Sequence, residues 1–415
     1  MPTDPHAGPR PLPDRPNLRH LKDQARDLVR TGIATSISDA QFRIARLHGC
    51  PSWPKLKARV ESLQEIGRLK EAIDTNDLAR VKALMTRSPA LHHAPLGYGR
   101  NGPLTRVAEC RVPWEPPGTA RLAVATWMLE NGSDVHQGGD APLMRAALNG
   151  SRIPMMELLV AHGADVNAQC GGDFPIIFAP CESVDPLALK WLLDHGADPD
   201  RAGHLRNPVA GGTPRGRGTA LDYLIATYAR APERLSACID ILLDAGGRTR
   251  HDAPGVLDVL RRDTERLARR LDADPALIRR RFPELDVGST GGRLLQLQGA
   301  TLLHLAAEFG NLDAARLLLD RGADVNARAT VSDAGVGGHT AIFHAVTQFD
   351  AGGLPMAEFL VERGADLTVR VTLPGHYERP DEVVECTPLG YARRFQHESR
   401  SDRTVAFLIT RGAAE

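Results

Sequence analysis

Along most of the chain, short stretches with apolar residues on one helical face end abruptly in a polar phrase led by glycine. Leu312, Ala315, Leu317, Leu318 and Leu319 precede Arg321 and Gly322 at a spacing that gives a helix one buried side. The phrase that follows, Gly322-Ala323-Asp324-Val325-Asn326, returns at Gly163 to Asn167, with looser copies at Gly132 to Val135, Gly196 to Pro199, Gly364 to Leu367 and Gly412-Ala413. Glycine enters the left-handed turn after a helix without steric cost, and Asp and Asn suit the turn beyond it, so each phrase predicts a helix stop. Helix starts are predicted upstream, most clearly at Thr301-Leu302-Leu303-His304-Leu305-Ala306-Ala307. Further starts are expected at Thr219-Ala220-Leu221, Thr340-Ala341-Ile342, Thr387-Pro388-Leu389 and Ala141-Pro142-Leu143. Threonine there caps free amides, and proline in the first turn forfeits no hydrogen bond.

The interval between stops identifies the architecture. Gly132 to Gly163 is 31 positions and Gly163 to Gly196 is 33, the period of stacked helix pairs of the ankyrin type. Residues 300–326 resemble a nearly complete ankyrin repeat and residues 140–167 a second. Weaker copies align at 68–93, 101–135, 173–200, 218–250, 339–368 and 386–413, and a degenerate unit without the terminal phrase lies near 255–283. The resemblance implies an all-α ankyrin-repeat solenoid of eight or nine helix pairs over residues 67–415. Insertions fall within repeats at Arg111 to Thr119 and Asp350 to Pro355. Others fall between repeats at Arg201 to Gly218, Asp286 to Gly299, Arg328 to His339 and Thr368 to Cys386. In ankyrin-like stacks the second kind forms β-hairpin or loop fingers edging a concave face, where such proteins bind.

Residues 17–66 read differently, as a small helical cap after a disordered tail over 1–16. Leu18, Leu21, Ala25, Leu28 and Val29 share one face, Ser38-Asp39-Ala40-Gln41 reads as a capping box, and Ser52-Trp53-Pro54 opens a third helix. The phrases HLKDQARDLVR and DAQFRIARLHGCPSWPKLKARVE are similar to a leader segment preceding the repeats in many bacterial ankyrin proteins.

Composition narrows the function. With 51 basic and 51 acidic side chains, the formal charge of zero argues against whole-molecule attraction to nucleic acid or anionic membrane. No segment approaches the roughly 18 apolar residues of a membrane span, and Met1 to Pro16 lacks the apolar core of a signal peptide, so a cytoplasmic protein is expected. The six cysteines, Cys50, Cys110, Cys170, Cys181, Cys238 and Cys386, form no metal-ligand spacing and read as reduced thiols.

Candidate chemistry is sparse. In ankyrin-like repeats the histidine at the His304 position ties neighbouring repeats through the backbone, and here it lacks the partners that catalysis needs. The other repeats carry Met144, Ile177, Asp222, Phe343 and Gly390 at that position, so the device is expected to be mostly absent. The arginines between Arg261 and Arg281 alternate with acids and read as a salt-bridged helix. The segment Thr372 to Cys386 concentrates His376, Tyr377, Arg379 and Asp381 on a projecting finger, while His204, Arg206, Arg215 and Arg217 decorate an earlier finger and His339 one between. Glu308, Phe309, Gln348 and Asn149 are expected near the concave surface.

These residues predict a non-catalytic, monomeric scaffold for a protein partner, with no cofactor, metal or membrane contact and no nucleic acid. Two alternatives stand beside it. One is an enzyme or small-molecule binder with a cleft between fingers and stack, using His376, Tyr377, Asp381, Glu382 or His339 as acid or base. The other is a DNA-binding head whose basic residues over 15–60 form one stripe.

Overall fold

In the computed structural model, which describes residues 9–13, 15–109, 118–148, 152–205, 216–227, 231–288 and 292–415, the phrase glycines all turn left-handed. Gly163, Gly196, Gly322 and Gly364 have φ of 97°, 90°, 90° and 90°. A Cβ built at any of these four meets nothing within 4 Å, so backbone handedness, and not lack of space, selects glycine. The chain divides into two compact units, residues 1–146 with 154–164, and residues 147–153 with 165–415.

In the first unit, α1 (Leu18–Arg30), α2 (Ile37–Leu47) and α3 (Trp53–Asp74) close around Leu21, Ala25, Ala40, Ile44, Leu56 and Val60. The start of α2 corrects the expectation of a box at Ser38. Ser36 is extended and its hydroxyl accepts from the Asp39 N–H, so the helix begins before Ser38. Helix α3 crosses position 67 unbroken and pairs with α4 (Leu78–Arg87). The helices α5 (Pro103–Glu109), α6 (Thr119–Glu130), α7 (Gln137–Leu148) and α8 (Ile153–Ala161) follow.

The second unit begins with an unforeseen hairpin, β1 (Gln169–Cys170) against β2 (Phe174–Pro175), and continues through α9 (Phe178–Ser183) and α10 (Pro186–Asp194). A second hairpin, β3 (Gly203–His204) with β4 (Arg217–Gly218), precedes α11 (Ala220–Ala226) and α12 (Pro232–Asp244). The degenerate region holds α13 (Val256–Leu260) and α14 (Thr264–Ala273). Then come α15 (Leu302–Glu308), α16 (Leu312–Asp320), α17 (Ala341–Ala345) and α18 (Leu354–Glu362). The hairpin of β5 (Val371–Pro374) and β6 (Val383–Cys386) leads into α19 (Pro388–Ser399) and α20 (Asp402–Thr410). From α9 onward the helices pack as consecutive pairs, each against its neighbours in sequence, so the core is a row of interfaces and not one centre.

Three polar devices stitch these interfaces. His304 Nδ1 accepts from the Thr301 hydroxyl at 2.9 Å while Nε2–H donates to the His339 carbonyl at 3.1 Å, the inter-repeat tie predicted for it. Asp222 corrects the expectation that the device is lost where histidine is missing. Its carboxylate accepts from Thr219 N–H at 3.1 Å within its own unit, and from the Thr249 hydroxyl at 2.6 Å and Arg250 N–H at 2.9 Å in the next. An acceptor thus replaces a donor. Asn167 and Asn326 each bridge to the following phrase, Asn326 giving Nδ2–H to Gly364 O at 3.0 Å and accepting from Asp366 N–H at 2.8 Å.

The arginine run is salt-bridged, with one pair inside its own helix, Arg269 to Glu265 at 3.9 Å, and others reaching outside it. Buried Asp258 of α13 meets both Arg266, at 3.1 Å, and Arg270, and Arg261 meets Asp240 of α12 at 2.6 Å. Asp263 is instead the cap of α14.

Candidate functional site

The hairpins and loops of the second unit carry most of the predicted residues. On β3 and β4, His204 and Arg217 stand opposite each other in register, and both contact Asp173 of the turn joining β1 and β2. Arg206 and Arg215 lie outside the described residues, as does Asn149. The remaining fingers converge further along. Gly337 N–H donates to Thr372 O of β5 at 2.8 Å, and Tyr377 N–H donates to Gly292 O at 2.8 Å beside an antiparallel bridge between Arg293 and His376. Gly292 has φ of 81°, and a Cβ there would collide with Glu398 and His376, so glycine lets the loop approach the hairpin this closely.

The hairpin is therefore braced at its base and open at its tip. The side chain of His376 is 13% exposed and holds Glu398 Oε2 at 3.1 Å, whereas Tyr377 is 45% exposed, and Arg379 and Asp381 face solvent. Val383 and Val331 are also exposed apolar groups on these fingers. Glu382 pairs with Arg394 at 2.7 Å, and that arginine holds its carboxyl below the ordinary carboxylate range.

Between the fingers lies a cleft of about 490 Å³. Its apolar walls are Pro283, Leu294 and Leu295 of the loop before α15, Val336 of the next finger, and Leu373 and Pro374 of β5. Gln296, Gln298, Thr330, Ser332 and His339 supply its polar groups. His339 is 4% exposed, which corrects its placement as finger decoration: its carbonyl is tied by Ala329 N–H and by His304, drawing the ring inward.

Behind His339 is a buried charged network. Arg293 Nη2 lies 2.7 Å from Glu308 Oε2, and His344 Nδ1 lies 2.7 Å from the same oxygen. Gln348 donates to the carbonyls of Glu308 at 3.1 Å and His344 at 2.8 Å. The rings of His304, His339 and His344 meet edge to face with centroids 5.0 to 5.9 Å apart. Burial first, then His344, hold His304 down to about 3, and burial with His344, His304 and Arg293 keeps His339 far below the usual imidazole range. Both rings are neutral near pH 7, and Tyr391, raised chiefly by burial, keeps its proton.

Glu308, Phe309 and Gln348 are thus buried instead of lining an open surface, because the loop before α15 lays Arg293 across the end of that helix. Of the acid–base candidates, the cleft contains His339; His376, Tyr377, Asp381 and Glu382 stand on the hairpin outside its lining. Among the described residues, no three His, Cys, Asp or Glu side chains converge as metal ligands. No described helix is long and apolar enough to cross a membrane.

The family described as Ankyrin repeats (3 copies) matches the chain over residues 119–202 and 278–371. Ankyrin repeats are therefore found in this mostly helical chain, and the second matched stretch contains the cleft loops, His339 and the Arg293–Glu308 pair. No curated protein matches the sequence.

Proposed function

We propose that this protein is a non-catalytic interaction module that holds a protein partner against the fingers of its second unit, above all the β5–β6 hairpin. Ankyrin repeats are generally protein–protein interaction modules, and proteins built from them are typically non-catalytic. The observation that carries the reading to this surface is the hairpin itself, fixed at Gly292, Gly337 and Glu398 while exposing Tyr377, Arg379 and Val383. A braced loop loses little conformational entropy on association, and Tyr and Arg are the side chains that most often anchor an interface. In this account the chain acts as a cytoplasmic monomer without nucleic acid, and residues 17–66 serve as a helical cap for the repeats over 67–415.

The test is affinity capture from native extract with the intact chain and with Tyr377→Ala/Arg379→Ala. Both side chains are exposed, so circular dichroism should be unchanged. A protein retained by the intact chain and released by the double variant supports the reading. Equal retention by both, or none by either, overturns it.

A further inference from the structure

Residues 9–13 and 16, expected from the sequence to belong to a disordered tail, are instead seated on the bundle of α1, α2 and α3 in the first unit. Four prolines in the eight positions 9–16 hold much of this backbone extended, a form whose N–H and C=O groups find no partner within the segment. Arg10 is gripped on both sides. Its N–H donates to the Leu47 carbonyl at 2.8 Å, one of the last carbonyls of α2, which helical geometry leaves unpaired, and its own carbonyl accepts from His48 Nδ1–H at 2.9 Å. Gly49 follows with φ of 72°, and a Cβ there would strike the Pro9 ring, so the glycine that stops α2 also seats that proline. Leu12 packs against the apolar core of the bundle, and Gln64 Nε2–H donates to Pro16 O at 2.9 Å.

The end of α2 thus reads a short pattern: a proline on Gly49, the backbone of the next residue between Leu47 O and His48, and an apolar side chain two positions on. The side chain of Arg10 is exposed, so that middle position is free to vary. The fit is incomplete. A cavity of about 580 Å³ stays open between the segment and the two helices, with Leu21, Leu28 and Ile44 among its walls and Leu47, 43% exposed, lining it as well. A segment that completed the core would fill this space, since packed interiors leave few voids larger than a water molecule. Held over an unfilled groove, the segment is replaceable by a chain that fills the groove better.

We infer that this groove docks a proline-rich segment of a partner protein, of the pattern Pro-X-Pro followed by an apolar residue, and that residues 9–13 occupy it as a tethered competitor. The occupant follows from the segment already seated there, which shows the groove accepting that chemistry through one residue's backbone and one apolar side chain. An extended proline-rich chain loses little conformational entropy on docking, and its unpaired backbone groups are free to meet such a clamp. This site lies within the first unit and is independent of the β5–β6 hairpin and of the partner proposed for it.

The full-length chain is titrated against a fluorescein-labelled peptide copying residues 9–17, read by fluorescence anisotropy. In the full-length Leu12→Asp variant a charge in the apolar contact releases the tethered copy, and one peptide is expected to bind per chain with circular dichroism unchanged. The intact chain should bind the peptide at least roughly tenfold more weakly, because its tethered copy competes at millimolar effective concentration. Changes in the peptide test the clamp without touching the fold. Arg10→Ala should bind like the parent, whereas Arg10→Pro stays extended but lacks the N–H that Leu47 O accepts, and should bind roughly fivefold more weakly than Arg10→Ala, the effect of one neutral hydrogen bond. No binding by Leu12→Asp, equal binding by that variant and the intact chain, or equal binding of the two altered peptides would overturn the proposal. So would a loss of helix in Leu12→Asp, which would make the segment part of the fold. A dimer of the intact chain in sedimentation that Leu12→Asp dissolves would also overturn it, by making the occupant a second copy.

Discussion

Removing Arg293 alone should be far more damaging than removing Arg293 and Glu308 together. Both side chains are fully shielded from solvent, 2.7 Å apart, and the same Glu308 oxygen also receives His344. Arg293→Met keeps much of the aliphatic volume but leaves the Glu308 carboxylate buried without its arginine. Breaking one side of such a buried pair costs about 3–5 kcal/mol, whereas replacing both partners with neutral groups of similar size is often close to neutral. Glu308→Gln retains an acceptor for His344 while discarding the charge. The double variant Arg293→Met/Glu308→Gln should therefore recover at least about 2 kcal/mol of the loss caused by Arg293→Met, a coupling read from a four-way cycle. Urea unfolding at pH 7, followed by far-ultraviolet circular dichroism, measures each corner. If Arg293→Met costs under about 1 kcal/mol and the two changes simply add, the network is not the closed, dry ion pair described, and the loop before α15 does not seal the end of that helix.

Three further outcomes follow from the same framework. Gly322→Ala should cost about 1–2 kcal/mol through its φ of 90° alone, measurable by urea unfolding, since the added methyl group meets no neighbour. Asp222→Ala should cost about 2–3 kcal/mol by the same assay, because Thr249 and the Arg250 amide lose their acceptor at a repeat junction. Folding depresses the pKa of His304 and His339, so below the ordinary imidazole range, about 6.5, the unfolded chain takes up protons that the folded chain refuses. Their contribution is therefore intact above pH 6.5 and lost as pH falls toward about 3 for His304, and the urea midpoint should drop across that window, less steeply in His339→Phe.

The helices were legible in the sequence because their signals are local. A glycine in the left-handed region marks the stops of α8, α10, α12, α16, α18 and α20, and Thr or Pro marks several of the starts. Fingers were legible as excess length between stops, although the short β1–β2 hairpin added too little length to show. The buried network was not legible, because Arg293, Glu308 and His344 are brought together by the path of an insertion and not by a periodic pattern. One signal did point to it: Glu308 sits between Ala307 and Phe309 at the end of a helix whose every residue is buried, a poor position for a solvated carboxylate. The Asp222 tie was missed for a related reason. Comparing positions looked for histidine as donor, whereas the junction needs only that one side donates and the other accepts.

The most direct test of the central claim is site-specific photocrosslinking in native extract, with the reactive residue placed at position 377 on the hairpin tip or at exposed position 362 on α18. A discrete protein adduct is expected from position 377 and none from 362. No adduct from 377, or the same adducts from both positions, would contradict it.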